Sequence, residues 1–283
     1  MNIGIVLSGG MAKGAYQIGA LRALRELVPL EDIKCMSCAS VGVLNGYAFA
    51  VDELDLAEKM WRSVCNGDTR VLISQILRSS MLQQSIGTLS EKRRPFPFAF
   101  YSTLLDFNYR NIVYKDLSQV DADRVPAFLK ASVAMPAYNR AVPLDNTLYF
   151  DGAMVDNIPV YPLLKHKLDY IICFYFDEAC YRFENAKFDS KVIKVTFPSE
   201  SILKQSLVFR KESVDEMIAD GYERTRYILQ AIFAQGHDDL EYIYRAIRFH
   251  NRVGRNTSTR ITGDLLVTNL NKLTQRLTKR KIK

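Results

Sequence analysis

Short apolar runs alternate with segments of helical periodicity over the first 50 residues. The run Ile3 to Leu7 ends in a serine and two glycines, and the apolar positions of residues 18–28 then recur at roughly helical spacing opposite charged side chains. A second apolar run, Ile33 to Ala39, is followed by residues 41–51, which can form a second helix. The pattern predicts strand, helix, strand, helix, with Ser40 at the second strand-to-helix junction.

Further strands are predicted in the middle of the chain. Residues 98–114 have the aromatic and β-branched content of paired strands, and residues 170–176 and 192–197 are short apolar runs flanked by charge. Strands that alternate with helices predict the α/β class with a mainly parallel sheet. Residues 60–97 are less regular, and RRPFP at 93–97 indicates a loop, so a mobile cover over a site is one interpretation of this region.

The pattern becomes helical near the C-terminus. Two amphipathic helices are predicted, one from Val214 to Leu229 and one from Leu240 to Ile247. We therefore divide the chain into an α/β domain over residues 1–200 and a helical segment over residues 201–283, which we expect to pack on the same domain. With 283 residues and 48% apolar content, the chain can bury a substantial core.

Charge is concentrated in the tail. Residues 245–283 hold eleven Lys or Arg and one acid, Asp264, so the net charge of this segment is +10. The rest of the chain has a net charge of −3, which gives +7 for the whole chain. Basic residues near anionic lipid contribute roughly 1 kcal/mol each to binding, so peripheral membrane contact is one interpretation. Arg245, Arg248 and Arg252 recur at helical spacing opposite apolar residues, although such a face is more often merely solvated.

Hydropathy and cysteine content favour a cytoplasmic protein that is not integral to a membrane. No apolar stretch approaches the ~18 to 20 residues that span a bilayer. The N-terminus has no basic region of the signal-peptide type, and Lys13 interrupts its apolar run. An odd number of cysteines, mostly in apolar runs, is typical of reduced thiols: Cys35, Cys38, Cys65, Cys173 and Cys180. The CxxC spacing of Cys35 and Cys38 has no histidine partners, so no metal is expected.

The first motif with chemical meaning is SGGMAKGAY at residues 8–16. A glycine pair between a strand and a helix lets backbone N–H groups turn toward one point, where the helix N-terminus adds positive charge. A phosphate-binding Walker loop is excluded, because Ala15 and Tyr16 follow Gly14 in place of Lys and Ser or Thr. The dinucleotide fingerprint also fits poorly, since Met11 stands at its second glycine. An anion hole and a purely structural turn remain.

The second motif is CASVG at residues 38–42, a near match to GxSxG. A serine at a sharp turn between a strand and a helix presents its hydroxyl clear of the sheet, with backbone N–H groups beside it. Cys38 replaces the first glycine, so a chance helix-capping serine is the alternative for Ser40.

A nucleophilic serine needs a base, and the sequence offers two kinds. The histidines are His166, in the polar stretch KHK, and His237 and His250, in the charged helical region, and each is expected to be solvated. The other candidate is Asp151, in LYFDGAMVDNIPVYPL, where the alternative is an ordinary turn aspartate. As a base it would need a site that raises its pKa above the usual value near 3.9.

Together and in this order, the motifs resemble those of the patatin-like phospholipase family, whose signatures are a GGGx(K/R)G loop, a GxSxG elbow and a DGG or DGA aspartate. The segments KASVAMPAY at 130–138, DGAMVDNIPVYPL at 151–163 and MIADGYERT at 217–225 are also similar to the family's sequences. The resemblance covers most of residues 1–230. It implies a three-layer α/β fold with a mainly parallel central sheet and a helical C-terminal extension.

The resemblance also implies roles for individual residues. Ser40 is the nucleophile and Asp151 its base, without histidine. The oxyanion hole is formed by the backbone of Gly9, Gly10 and Met11, and the supporting positions are Lys13, Gly14, Gly42 and Gly152. Met11 and Cys38 depart from the family's glycines but keep their backbone N–H groups. The implied activity is hydrolysis of lipid esters, as a phospholipase A or lysophospholipase, with no cofactor or metal.

Two other functions remain open. Met11 and Cys38 would also suit a catalytically silent scaffold with a decayed site. A basic tail containing Lys279, Arg280 and Lys281 would suit contact with nucleic-acid phosphates, but no recognition or stacking motif accompanies it, so no nucleic acid is expected. Head-group preference, regulation and oligomeric state do not follow from the sequence.

Overall fold

The computed structural model describes residues 1–64, 71–72, 80–91, 94–108, 110–136, 138–176, 190–197, 208–209, 211–237, 239–253 and 280–283. The strands are β1 (Ile3–Leu7), β2 (Ile33–Ala39), β3 (Val71–Leu72), β4 (Ala99–Asp106), β5 (Asn111–Asp116), β6 (Val142–Leu144), β7 (Thr147–Asp151), β8 (Tyr170–Tyr175), β9 (Val192–Thr196), β10 (Val208–Phe209) and β11 (Arg280–Ile282). The α-helices are α1 (Gly14–Leu27), α2 (Val41–Ala50), α3 (Leu54–Ser63), α4 (Ser80–Glu91), α5 (Val125–Ser132), α6 (Lys211–Ile232) and α7 (Leu240–Val253).

Nine of the described strands form one sheet. Its order is β11-β5-β4-β2-β1-β8-β9, and β7 joins it by pairing with β4 and β6. Strands β4, β2, β1, β8 and β9 run parallel to one another, whereas β4 is antiparallel to β5 and β7. The prediction of an α/β fold with a mainly parallel central sheet is confirmed.

Side chains of the central strands alternate between two buried layers. In β1, Ile3, Ile5 and Leu7 pack with the helices, whereas Val6 packs with the segment after β7 that includes Leu163. Because both faces of such a strand are buried, it has an uninterrupted apolar sequence. The helices, the sheet and the segment of short 3₁₀ turns after β7 make the three expected layers.

Helices α1 and α6 pack closely together at two glycines, one in each helix. A Cβ on Gly19 would lie 1.8 Å from the carbonyl oxygen of Ile218, and a Cβ on Gly221 would lie 2.0 Å from that of Tyr16. Each glycine therefore lets the other helix's backbone approach closely, which brings α6 onto α1 and the α/β layers. The domain boundary at residue 200 stays a prediction.

Several elements were not predicted from the sequence, and α4 and β11 are two of them. Helix α4 lies in the region expected to be irregular, and its Ile86 and Leu89 are buried. Strand β11 lies in the basic tail and pairs parallel with β5. In the described part of the loop at 93–97, Phe96 stacks on Phe100, with ring centroids 5.3 Å apart. This packing of α4 and Phe96 gives no support to a mobile cover, and residues 65–70, 73–79 and 92–93 lie outside the described residues.

Cys35, Cys38 and Cys173 are buried free thiols, and burial raises the pKa of each. Cys65 and Cys180 lie outside the described residues. Within the described part of the chain, no three His, Cys, Asp or Glu side chains are grouped as a metal ion would require. The described helices include none that is both long and apolar enough to cross a membrane.

Candidate active site

Ser40 lies at a strained turn between β2 and α2. Its φ of 53° and ψ of −131° fall outside the regions that a residue with a side chain prefers. The turn is tight against β1, because a Cβ on Gly42 would stand 2.8 Å from the carbonyl oxygens of both Leu7 and Ser8. Ser40 therefore stands at a sharp strand-to-helix turn, and Gly42 is the residue that lets α2 begin this close to β1.

Cys38 fits in the position where the resemblance led us to expect glycine. Its side chain is fully buried on the helical side of the sheet. There it faces Gly46 of α2, on which a Cβ would lie only 2.8 Å from the Cys38 sulfur. The missing side chain of Gly46 thus makes room for the thiol, so Cys38 does not prevent the turn at Ser40.

Asp151 ends β7 at the level of Ser40 in the sheet. It pairs with Leu104 of β4, and Thr103 of the same strand pairs with Ala39, the residue before Ser40. The Asp151 carboxylate accepts a hydrogen bond of 2.9 Å from the backbone N–H of Ala153, and the Ser40 hydroxyl lies near enough to the same carboxylate to lower its pKa. The structure therefore places the Ser40 hydroxyl beside the Asp151 carboxylate.

Burial sets the proton affinity of Asp151. The residue is 2% exposed, and this burial raises the pKa of its carboxyl from 3.8 to about 7. The Ser40 hydroxyl and the Ala153 N–H oppose the rise, because both stabilise the ionised form. A carboxylate with a pKa near neutrality suits a general base, which an ordinary turn aspartate does not.

The glycine loop after β1 lies directly against Ser40. A Cβ on Gly9 would stand 2.8 Å from the Cβ of Ser40, 2.6 Å from Asn157 Oδ1 and 3.1 Å from the Cβ of Ala153. The Asn157 amide also donates a hydrogen bond of 3.3 Å to the Gly9 carbonyl oxygen. Gly9 is therefore enclosed by residues that come from both of the other motifs.

The remaining loop residues differ in their environments. Gly10 packs under the ring of Phe176, which a Cβ would meet at 2.3 Å. Met11 has a φ of 50°, in the left-handed region that favours glycine, so its departure from the family's glycine carries backbone strain. Lys13 is 2% exposed and makes polar or electrostatic contacts within the protein.

Gly14 and Gly152 also occupy sites without room for a side chain. A Cβ on Gly14, the first residue of α1, would lie 2.6 Å from the ring of Trp61. A Cβ on Gly152 would lie 2.8 Å from the backbone of Thr103 and Leu104. These glycines hold the ends of the loop and of β7 in close contact with their neighbours.

The histidines bond elsewhere. His166 Nε2 lies 3.0 Å from the hydroxyl of Tyr101, and His250 Nε2 lies 2.9 Å from the carbonyl oxygen of Lys194. His237 stacks on Phe233, with ring centroids 4.3 Å apart. All three histidines are partly exposed, and each also packs or bonds at the surface of the core. The described contacts of these histidines include neither Ser40 nor Asp151.

Sequence reasoning missed a buried polar network behind the loop. Asn45 of α2 and Gln17 of α1 are 2% and 0% exposed, and their amides bond to each other and to the backbone at both ends of the loop. The signal that was available is the single amide in the apolar stretch VGVLNGYAFA of α2. Asn157, six residues after Asp151, was also missed, although it lies in a segment similar to the family's.

A sequence profile described as patatin-like phospholipase matches residues 5–164, which is more than half of the chain. The chain belongs to the patatin-like phospholipase family. Lysophospholipase NTE1 of Cryptococcus neoformans var. neoformans is 29% identical to this patatin-like protein over 189 residues, covering 60% of this chain and 11% of the relative. An uncharacterized NTE family protein of Mycobacterium bovis is 24% identical over 180 residues, covering 60% of this chain and 48% of the relative. The chain thus spans less than half of the length of either relative.

Two solved structures are similar to this patatin-like protein at low identity. VipD from Legionella pneumophila has a TM-score of 0.46 and 12% identity, with 89% of this chain and 74% of VipD covered. The effector ExoU of Pseudomonas aeruginosa has a TM-score of 0.44 and 15% identity, with 95% of this chain and 68% of ExoU covered.

Proposed function

We propose that this protein is a serine acyl hydrolase of lipid esters, with Ser40 as nucleophile and Asp151 as general base. The observation that carries the proposal is the position of the Ser40 hydroxyl beside the buried Asp151 carboxylate, next to a loop whose Gly9 packs against Ser40. Membership of the patatin-like phospholipase family supports a lipid ester as substrate. Phospholipase A and lysophospholipase activity both fit, and the similarity to a protein named lysophospholipase supports the second.

The proposed reaction has two halves. Ser40 Oγ attacks the ester carbonyl carbon while its proton passes to Asp151, and the backbone N–H groups of Gly9, Gly10 and Met11 stabilise the resulting oxyanion. The bond to the alcohol then breaks, and the departing oxygen takes the proton from Asp151. Water attacks the acyl-serine ester with Asp151 again as base, which releases the carboxylic acid and restores the Ser40 hydroxyl.

The pKa of Asp151 supports its role without a histidine. An aspartate with the usual pKa near 3.9 is too weak a base to accept a serine proton efficiently at neutral pH. Burial raises the Asp151 pKa to about 7, so the carboxylate is substantially ionised at neutral pH and has a higher proton affinity than an exposed one.

Active-site labelling tests this assignment. We expect a fluorophosphonate to form an adduct on Ser40, and Ser40→Ala to lose both the adduct and esterase activity. Asp151→Asn should lower kcat/KM by about 10²- to 10⁴-fold, the range typical of a lost general base. Ser37→Ala is the matched control, because Ser37 lies buried on β2, the strand that leads to Ser40, and its hydroxyl has no hydrogen-bond partner among the described residues.

The outcomes distinguish the enzyme from its alternatives. Full esterase activity in Ser40→Ala or Asp151→Asn protein would refute the proposed dyad. A folded wild-type protein that cleaves neither phospholipids, lysophospholipids nor short-chain esters would favour a catalytically silent scaffold.

We further propose peripheral contact with anionic membranes through α7. Arg245, Arg248 and Arg252 are exposed on this helix, whereas Ile243 and Ile247 are buried against the core. A basic face turned outward is suited to anionic lipid head groups. Most of the basic tail, residues 254–279, lies outside the described residues.

Vesicle flotation tests this contact. Replacing the three exposed arginines of α7 by alanine should reduce binding to phosphatidylserine vesicles, and the loss should disappear at high salt. The control removes the same number of exposed charges elsewhere, at Lys34, Lys165 and Lys167. Equal binding by both triple variants would refute a specific role for α7.

A further inference from the structure

A buried chain of amide hydrogen bonds joins the candidate oxyanion loop to the helix behind Ser40. The Gln17 amide donates to the Ser8 carbonyl oxygen at 2.7 Å, and the Asn45 amide donates to the Gly14 carbonyl oxygen at 2.9 Å. The Asn45 amide also donates to Gln17 Oε1 at 2.9 Å. Ser8 and Gly14 are the two ends of the loop, so Asn45 of α2 holds one end directly and the other end through Gln17 of α1.

The bonding pattern fixes the orientation of Asn45. Its Nδ2 serves the two acceptors, Gly14 O and Gln17 Oε1, while its Oδ1 accepts a hydrogen bond of 2.9 Å from Trp61 Nε1. Every polar atom of this amide therefore has a partner, in a site where Asn45 is 2% exposed. Buried amides satisfied in this way are rigid, because any rotation leaves donors or acceptors unpaired.

Asn45 connects the helix that begins at Ser40 with the loop that contains the proposed oxyanion donors. It lies five residues after Ser40 on α2, the helix that begins at Ser40. The loop that it holds contains Gly9, Gly10 and Met11, whose N–H groups are the proposed oxyanion donors. Stabilisation of an oxyanion requires donors held about 2.7–3.1 Å from the oxygen, so small displacements of the loop reduce it.

We propose that Asn45 is a positioning residue that, with Gln17, sets the distance of the oxyanion loop from Ser40. This inference rests on the proposed acyl hydrolase function. Asn45 touches no reacting atom in this scheme. It acts by keeping the ends of the loop at a fixed distance from the helix that carries the nucleophile, so its loss should affect the transition state more than substrate binding.

The test compares two identical substitutions. Asn45→Asp keeps the size of the side chain but removes the Nδ2 group that donates hydrogen bonds to Gly14 O and Gln17 Oε1. Asn251→Asp is the control, because Asn251 is also buried and its Nδ2 donates to a strand carbonyl, that of Val192, at 2.9 Å. Both are measured with a soluble short-chain ester, with a trifluoromethyl ketone that forms a tetrahedral adduct on the nucleophile, and by thermal unfolding.

We expect Asn45→Asp to lower kcat by about 10- to 100-fold with KM within about threefold, and to weaken inhibition by the ketone by a similar factor. Asn251→Asp should lower the melting temperature but leave kcat and ketone inhibition unchanged. A purely structural role for Asn45 predicts a lower melting temperature with wild-type kcat and ketone inhibition in the folded protein, and this result would overturn the inference.

A second variant covers the case in which Asn45→Asp does not fold. Trp61→Phe removes the donor to Asn45 Oδ1 and reduces the ring packing beside Gly14, at the partly exposed edge of the network, and we expect a reduction of about three- to tenfold in kcat and in ketone affinity. Unchanged values in folded Trp61→Phe would then overturn the inference. Inactive wild-type protein, or active Ser40→Ala protein, would refute the proposed function itself, and neither result involves Asn45.

Discussion

A Cβ on Gly9 would stand 2.8 Å from the Cβ of Ser40, closer than two such carbons approach in folded proteins. Asn157 Oδ1, at 2.6 Å, closes the other side of the same position. We therefore predict that Gly9→Ala displaces the loop away from Ser40 and lowers kcat for a soluble ester by about 10²-fold or more, the scale of a lost oxyanion donor. Steady-state kinetics on the purified variant measure this effect.

Gly87→Ala is the control for that substitution. Gly87 lies in α4, and no atom of the described part of the chain lies within 4 Å of the position that a Cβ would take. Alanine there should stabilise the helix by about 0.5–1 kcal/mol and leave kcat unchanged. Equal kcat values for Gly9→Ala and the wild type would show that the loop's proximity to Ser40 is unimportant for activity.

The raised pKa of Asp151 predicts the pH dependence of activity. Burial raises this pKa to about 7, and only the ionised carboxylate can accept the Ser40 proton. For a soluble ester, kcat/KM should therefore be constant above about pH 8 and fall about tenfold per unit below about pH 6. A rate profile that stays flat from pH 8 down to pH 5 would contradict Asp151 as the base.

The same shift predicts a stability cost of the candidate base. Because its folded-state pKa is raised from 3.8 to about 7, Asp151 destabilises the folded protein progressively as pH rises through this window. The pKa shift of about three units corresponds to a destabilisation of about 4 kcal/mol by the ionised carboxylate. An amide removes this destabilisation, but its single acceptor oxygen serves only one of the two donors, Ser40 and Ala153, which offsets about half of the gain. Asp151→Asn should therefore be more stable than the wild type by about 2 kcal/mol at pH 8.

Urea unfolding at pH 8 and pH 5 measures that gain. The advantage of Asp151→Asn should shrink at the lower pH, where the wild-type carboxyl is mostly protonated. Asp123→Asn is the control, because Asp123 is exposed and its replacement should have a small effect at either pH. A variant less stable than the wild type at pH 8 would show that burial of this charge has little cost.

Apolar runs made β1 and β2 predictable from the sequence, because a parallel strand buried on both faces is mostly apolar, and only Lys34 and Ser37 interrupt the run in β2. The position of Ser40 followed from the end of such a run. Strand β11 was not predictable in this way, because its three residues, Arg280–Ile282, are too few to show a periodic pattern. Its position depends on pairing with β5, which is distant in the sequence. Its register depends on tertiary contacts alone.

The candidate site was predictable in part. The order of three short motifs suggested Ser40, Asp151 and the loop, because each motif is local in sequence. The bonds of Asn45 to Gly14 and Gln17 join residues about 30 positions apart, and no local pattern marks such a pairing. The pKa of Asp151 was also hidden, since it depends on burial by the surrounding fold.

Met11 provides a test of strain in the loop. Its φ of 50° favours glycine, so Met11→Gly should change the free energy of unfolding by less than about 0.5 kcal/mol, as relief of strain offsets the added flexibility. Met11→Val should destabilise by about 1–2 kcal/mol, because a β-branched side chain is poorly tolerated at positive φ. Ala12→Gly, at the next position, is the control and should cost about 1 kcal/mol. Equal losses for both glycine variants would indicate that Met11 is unstrained.

The crossing of α1 and α6 gives the clearest prediction for stability. A Cβ on Gly221 would lie 2.0 Å from the Tyr16 carbonyl oxygen, and the clash is with helix backbone that has no freedom to move aside. Gly221→Ala should therefore separate the helices and destabilise the protein by about 3 kcal/mol or more, although alanine is the better helix former. Gly87→Ala, the same substitution in a helix with open space, should instead stabilise. Thermal or urea unfolding of the two variants decides the matter, and a neutral Gly221→Ala would mean that α6 does not pack on α1 at this distance.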